Sequence, residues 1–361
     1  MLLNSLLQPA LLALSLLHTT AAIPTTSGQT PSHPHRPSGG CKHPIIRREW
    51  RTLSKPEQES YLSAVHCLLN KPSKSPRSFA PGAVSRYDDL VATHIAQTFE
   101  IHYVGHFLPW HRYFTSLYES LLRTECNYAG AQPYWDWTQD ASIDLWPQSP
   151  IFDATHGFGS NGAPIPINAS NPMEVPGRTG GGCVLDGPFR DMTVRMGPLD
   201  DRSGNLRCLT RDLSPYFAGR YSGSNQTGVT LSQADFGHFT RVIDGEPSFE
   251  ASGLHGGAHY GVGGTYGVMG DLYASPGDPI FWLHHANLDR VWWSWQMRDL
   301  EARLEDVSGP VVMMDYGNEK GGNVTLGFGM GVGEWIGRNV SVGETMDVMG
   351  GYLCYDYDEV Y

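Results

Sequence analysis

Apolar positions recur every three or four residues along four stretches of this chain, the period of a helix with one buried face. The first is "SKPEQESYLSAVHCLLNK" (54–71), where Tyr61, Leu62, Val65, Leu68 and Leu69 share a face. Ser54 as N-cap, Pro56 early and Glu57 three residues after the cap form a helix start signal. "SRYDDLVATHIAQTF" (85–99) predicts a second helix, opened by Ser85 and two aspartates. "LPWHRYFTSLYESLLRTEC" (108–126) predicts a third, with Pro109 in its first turn. "SPGDPIFWLHHANLDRVWWSWQMRDLEARL" (275–304) predicts the fourth and longest. Together they imply a mainly α fold, an antiparallel four-helix bundle with long ordered loops and a few short strands. About 150 residues rich in Gly, Pro and Asn separate the third helix from the fourth, too long for a plain connection, and predict an ordered insert packed on the bundle. After residue 305 short apolar stretches such as "GPVVMMDYG" and "NVTLGFGMG" predict strands.

The ends of the chain read differently. "LLQPALLALSLL" (6–17), followed by the small residues of "TTAAIP", predicts a signal peptide over 1–22 and is too short to span a bilayer. Residues 23–40, "IPTTSGQTPSHPHRPSGG", predict a flexible linker or propeptide, and the folded domain covers 41–361. His33 and His35 fall in that linker and read as solvated. Secretion is expected, and two further features agree with it. The N-x-S/T sequons at Asn168, Asn225, Asn323 and Asn339 are candidate N-glycan sites. The six cysteines suit three disulfides; of the fifteen connectivities, we expect Cys67–Cys126, Cys183–Cys208 and Cys41–Cys354, the last tying the domain's two ends. The formal net charge of -12 and the absence of a basic run exclude nucleic acid as an expected partner, and no membrane partner is expected either.

Histidine is the residue that changes the picture, with fifteen copies that cluster. His94 lies mid-way along the second helix, His102 in the connection and His111 at the start of the third. In "LHGGAHYG" His255 and His259 stand four apart, on one face if the stretch is helical. His285 sits inside the fourth helix, and its neighbour His284 points about 100° away, so only one of the pair readily joins the same centre. Two sets of three imidazoles suit Cu, Zn, Fe or Ni and disfavour Mg and Ca. His43, His66, His156 and His238 have no such context.

These residues resemble a known family, the type 3 copper proteins that comprise tyrosinases, catechol oxidases and haemocyanins. "HFLPWHRYF" is similar to the family's first copper signature and "DPIFWLHHANLDRVW" to its second; "PYWDW" (133–137) and "HGGAH" also fit. The resemblance covers most of 41–361 and points to the short secreted fungal tyrosinases. It implies two copper ions, with His94, His102 and His111 on the first and His255, His259 and His285 on the second, and O2 as co-substrate. It places Phe281 between the two sites and implies oxidation of catechols to quinones, with ortho-hydroxylation of phenols in some members, in pigment or secondary-metabolite chemistry. It gives His106 and His284 no ligand role, so both are expected to pack or hydrogen-bond. Leu272 is expected to project over the second copper and limit substrate size. A tyrosine-rich end, "YLCYDYDEVY", resembles the close of the family's core without a C-terminal lid, and Tyr355 or Tyr357 is expected on an arginine of "RREWR".

Two departures matter. Relatives often carry a cysteine just before the second histidine, joined to it by a thioether; "QTFEIH" has none, so no crosslink is expected. Phenol hydroxylation in the family uses a glutamate upstream of the fourth histidine and an Asn after that histidine to hold a water. Here the candidate glutamate is Glu250, with Glu246 as fallback, and Gly256 stands where the Asn would be. A lean towards catechol-type substrates follows. Two rival readings share the scaffold: zinc in the histidine sites acting as a Lewis acid on a non-redox reaction, and an O2-binding protein.

Overall fold

The four predicted helices form, with one change of limits. The computed structural model describes residues 40–361, which fall within one compact unit; the signal-peptide segment and nearly all of the linker lie outside the described residues. Helix α1 spans Lys55–Asn70 and is started by the expected cap, the Glu57 carboxylate accepting from the Ser54 N–H at 2.7 Å. Helix α2 (Arg86–Ile101) begins on a reciprocal pair: Ser85 Oγ accepts from the Asp88 N–H at 3.0 Å, and Asp88 Oδ2 accepts from the Ser85 N–H at 2.9 Å. Helix α3 (Phe107–Cys126) stops at Asn127, whose left-handed φ of 56° is one that Asn tolerates.

The insert adds α4 (Pro215–Tyr221), α5 (Ser224–Leu231), α6 (Phe236–Asp244) and α7 (Leu254–Gly263). Helix α8 covers Ile280–Gln296, shorter than the expected 275–304. Pro276, Gly277 and Pro279 confine the preceding residues to a separate turn at Ser275–Gly277, because proline supplies no N–H and disfavours helix before it. Every residue of α8 is buried, as for a helix at the centre of its bundle. Around it, α3 packs on α8 and α1, while α7 packs on α4, α6 and α8.

Among the described residues, eight short strands pair two by two: β1 (Ile45–Arg47), β2 (Gly162–Pro164), β3 (Gly181–Val184), β4 (Thr193–Val194), β5 (Arg207–Cys208), β6 (Gly329–Met330), β7 (Val340–Ser341) and β8 (Tyr355–Tyr357). The strand expected in "GPVVMMDYG" does not form. There the chain turns through Met314 at a φ of 58°, and one isolated bridge joins Pro310 to Asn323. β1 and β8 run parallel, bringing the two ends of the unit together beside the Cys41–Cys354 disulfide. Cys67–Cys126 joins α1 to the end of α3, and Cys183–Cys208 joins β3 to β5, so all six cysteines are paired as expected. Arg47 stacks on Tyr355 at 3.5 Å and pairs with Glu119 at 2.6 Å and Asp289 at 3.2 Å, which pins β1 and β8 to α3 and α8.

Candidate metal centre

Two groups of buried histidines face each other at the centre of the helices. The first comprises His94, His102 and His111; the second comprises His255, His259, His284 and His285. Within each group one ring nitrogen per residue lies within 4.8 Å of the others. The groups themselves are in contact, with His111 and His285 stacked at 4.5 Å between ring centres and His102 and His255 stacked at 5.7 Å. Phe281, fully buried, fills the seam: its ring lies 4.1 Å from His285, 5.3 Å from His94 and 5.9 Å from His259.

Hydrogen bonds fix which nitrogen five of the rings offer. His102 Nδ1 lies 2.8 Å from the Thr98 carbonyl and His111 Nδ1 2.9 Å from the Phe107 carbonyl, each four residues back. His94 Nδ1 lies 2.7 Å from the Tyr273 carbonyl and His259 Nδ1 2.8 Å from the Met269 carbonyl. His255 Nδ1 lies 2.8 Å from Asp244 Oδ1. An oxygen acceptor at Nδ1 demands the proton there and leaves the Nε2 lone pair free, which is how metal-binding imidazoles are held. The Nε2 atoms of His94, His111 and His255 are buried with no protein partner. His259 Nε2 and His285 Nε2 stand 3.2 Å apart. That is the spacing of two nitrogens each about 2.0–2.1 Å from one ion at a near-tetrahedral angle. Burial keeps His94, His111, His259, His284 and His285 far below the ordinary imidazole pKa, with neighbouring imidazoles adding to the shift, and takes His102 down to about 4. Those six rings are therefore neutral, and the donor set of the two groups is all nitrogen, as copper or zinc prefers.

His284 departs from expectation. It does hydrogen-bond, accepting from Trp137 Nε1 at 3.2 Å through Nδ1, but one of its ring nitrogens also lies within 4.8 Å of those of the second group. The cause is α7, which crosses α8 and sets His259 within 4.7 Å of the His284 ring. His285 is the one of the pair that stacks on the first group. His106 stays outside both groups; it is buried, packs against Phe328 with the ring centres 4.5 Å apart, and burial lowers its pKa to about 4.

A narrow cleft of about 30 Å³ opens over the second group, lined by Tyr103, Gly256, Tyr260, Met269 and Leu272 beside the histidines. Leu272 and Gly256 thus both line the cleft. Glu250 does not; it is exposed on the loop before α7, and Glu246 is turned to Arg241 at 2.8 Å. The carboxylate that reaches the fourth histidine is Asp244, which sequence reasoning missed, as it missed Tyr103 and Tyr260. Its place is unusual: Asp244 is the last residue of α6, where the helix dipole disfavours an anion.

The Tyrosinase family's common central domain matches residues 84–298. The chain is 37% identical to the N-acetyl-6-hydroxytryptophan oxidase ivoB of Emericella nidulans over 347 residues, 87% of this chain and 92% of that protein. It is 38% identical to Tyrosinase P of Aspergillus terreus over 288 residues, 73% of this chain and 78% of that protein. Among solved structures, that of a single-substitution variant of a polyphenol oxidase from Thermothelomyces thermophila superposes with a TM-score of 0.80 at 38% identity, covering 88% of this chain and 89% of that one. The chain belongs to the tyrosinase family. It is an oxidoreductase of the tyrosinase type, and the family acts on small phenolic molecules.

Proposed function

We propose that the chain is a secreted copper oxidase that uses O2 to convert o-diphenols to o-quinones, with little hydroxylation of simple phenols. The observation that carries this reading is the pair of facing histidine groups, in which the buried Nε2 atoms of His94, His111 and His255 have no protein partner. His94, His102 and His111 would hold one copper, and His255, His259 and His285 the other; two coppers so placed supply the site of O2 reduction. Each catechol gives up two electrons and two protons, and O2 takes four of each to become two waters, so one O2 serves two catechols.

The chain's own residues set which phenol is used. Tyr103, Tyr260, Met269 and Leu272 offer an aromatic ring an apolar and aromatic rim. Gly256 has no side chain to hold a water, Glu250 is exposed, and Asp244 already serves His255, so among the described residues no carboxylate lines the cleft to take a proton from a monophenol. This supports the lean to catechols. Three disulfides suit an oxidising compartment, and no helix of the described residues is long and apolar enough to cross a membrane. The sequon asparagines Asn168, Asn225, Asn323 and Asn339 lie at or near the surface, as glycan acceptors must. The relative named for oxidising N-acetyl-6-hydroxytryptophan adds hydroxylated indoles to the substrates worth testing, in the tailoring of an aromatic metabolite.

The test is O2 uptake by copper-loaded protein with catechols, monophenols, methoxyphenols, aminophenols and a hydroxyindole. We expect fast uptake with catechols, at one O2 per two molecules consumed. Zinc retained from expression, with no O2 uptake by the copper-loaded chain, would overturn the proposal.

A further inference from the structure

Asp244 is poorly placed by local rules. It is a buried carboxylate, 5% exposed, on the last residue of α6, where the carbonyl end of the helix repels an anion. Its two oxygens account for its presence. Oδ1 lies 2.8 Å from His255 Nδ1, and Oδ2 accepts the Tyr103 N–H at 2.8 Å. Tyr103 directly follows His102 and has a φ of 54°, a left-handed conformation that is costly for an aromatic residue. The strain is held from both sides, because the Tyr103 carbonyl accepts from the Met314 N–H at 3.0 Å.

We infer that Asp244 is a positioning residue that aligns both halves of the metal centre at once, orienting His255 through one oxygen and fixing the turn after His102 through the other. The inference rests on reading the two histidine groups as a metal pair. Among the histidines of the centre, His255 alone has a carboxylate at Nδ1; His94, His102, His111 and His259 have backbone carbonyls there. A charged acceptor makes a stronger hydrogen bond and a more basic imidazole. The His255 side of the centre therefore depends on one side chain in a way that the other side does not. Tyr103 is placed by the same contact as a wall of the cleft, so Asp244 also governs the rim.

Asparagine discriminates this role from simple space-filling. It has nearly the shape of aspartate but only one acceptor oxygen, so it cannot serve both the His255 N–H and the Tyr103 N–H. Glutamate keeps two acceptor oxygens on a side chain one methylene longer. A steric role ranks Asn above Glu; the role inferred here ranks Glu above Asn.

The experiment titrates the metal-free chain with cuprous ion against a competing chelator. The wild type should take up two equivalents. Asp244→Asn should bind the second-group ion about 10- to 100-fold more weakly, the usual cost of losing such a partner. Asp244→Glu should recover part of that loss. Asp235→Asn, the same change of charge at the opposite end of α6, should bind as the wild type does. Two wild-type-like equivalents in Asp244→Asn, or Asn binding better than Glu, would overturn the inference. A wild type that binds no cuprous ion would instead sink the metal-centre reading beneath it. If Asp244→Asn does not fold, the metal-free wild type decides by nitrogen-15 histidine NMR. His255 must then carry its proton on Nδ1, protected from exchange, and a bare Nδ1 overturns the inference.

Discussion

The two histidine groups are built by different means. In the first, His94 rides on the sixteen-residue α2, His102 caps that helix, and His111 lies in the first turns of the twenty-residue α3. Two of its three rings are oriented by the carbonyl four residues back on their own chain segment. In the second, His255 and His259 ride on a ten-residue helix rich in glycine, "LHGGAHYGVG", which has little helical preference of its own. Its rings are oriented from elsewhere, by the Asp244 carboxylate and the Met269 carbonyl. The first group is largely local, with only His94 held from a distance by the Tyr273 carbonyl, and the second is assembled by tertiary packing. Damage to packing should therefore reach the second group before the first.

The largest expected effect breaks the pair outright. His285→Ala should remove the second-group ion, leave the first, and reduce catechol-driven O2 uptake to the level of the copper-free chain. Full activity in that variant would exclude His285 as a ligand. Acid comes next. The unfolded chain protonates its histidines near pH 6.5, whereas the folded, metal-free chain holds the buried rings neutral, His102 down to about 4. Stability is thus complete above pH 6.5 and is lost as pH falls towards 4, by about 1.4 kcal/mol per unit for each ring involved. Circular dichroism should place acid unfolding of the metal-free protein in that window, and metal should protect against it.

Helix α7 offers a finer test. A Cβ on Gly257 would meet the Tyr221 backbone at 2.9 Å, and one on Gly261 would meet Trp146 at 2.8 Å. Gly261→Ala should cost about 1–3 kcal/mol from overpacking, partly offset by about 1 kcal/mol of helix preference. It should weaken the second-group ion selectively; Thr124→Ala, near the surface end of α3, should change stability by less than about 0.5 kcal/mol. Equal weakening of both ions by Gly261→Ala would erase the contrast between the groups. The smallest effect is expected from Gly256→Asn. Its Cβ meets only the rotatable Ser252 hydroxyl closely, so the fold should survive, and phenol hydroxylation should rise relative to catechol oxidation. An unchanged ratio in the O2-uptake assay would discard the water-holding argument.

This contrast also explains what the sequence made legible. Helices α1 to α3 announce themselves by period and cap, and the spacing of His94, His102 and His111 is readable because the helices that carry them are, and because the supports of His102 and His111 are local. The three cystine pairs and the position of Phe281 were likewise legible. The supports of the second group were not. Met269 acts through its carbonyl, which every residue has, and Asp244 lies eleven positions before His255; the distant Tyr273 carbonyl that orients His94 of the first group was hidden for the same reason. Glu250 is nearer in sequence, yet the loop before α7 turns it outwards. His284 was misplaced because its angle on α8 was known but the path of α7 across α8 was not.

The central claim is that the two groups hold one pair of ions between them. Copper-edge X-ray absorption of the loaded protein, at measured metal content, tests it most directly. Two coppers per chain, an all-imidazole ligand shell and a copper–copper scattering contribution are predicted. A single copper per chain, or two with no copper neighbour in the scattering, would contradict it.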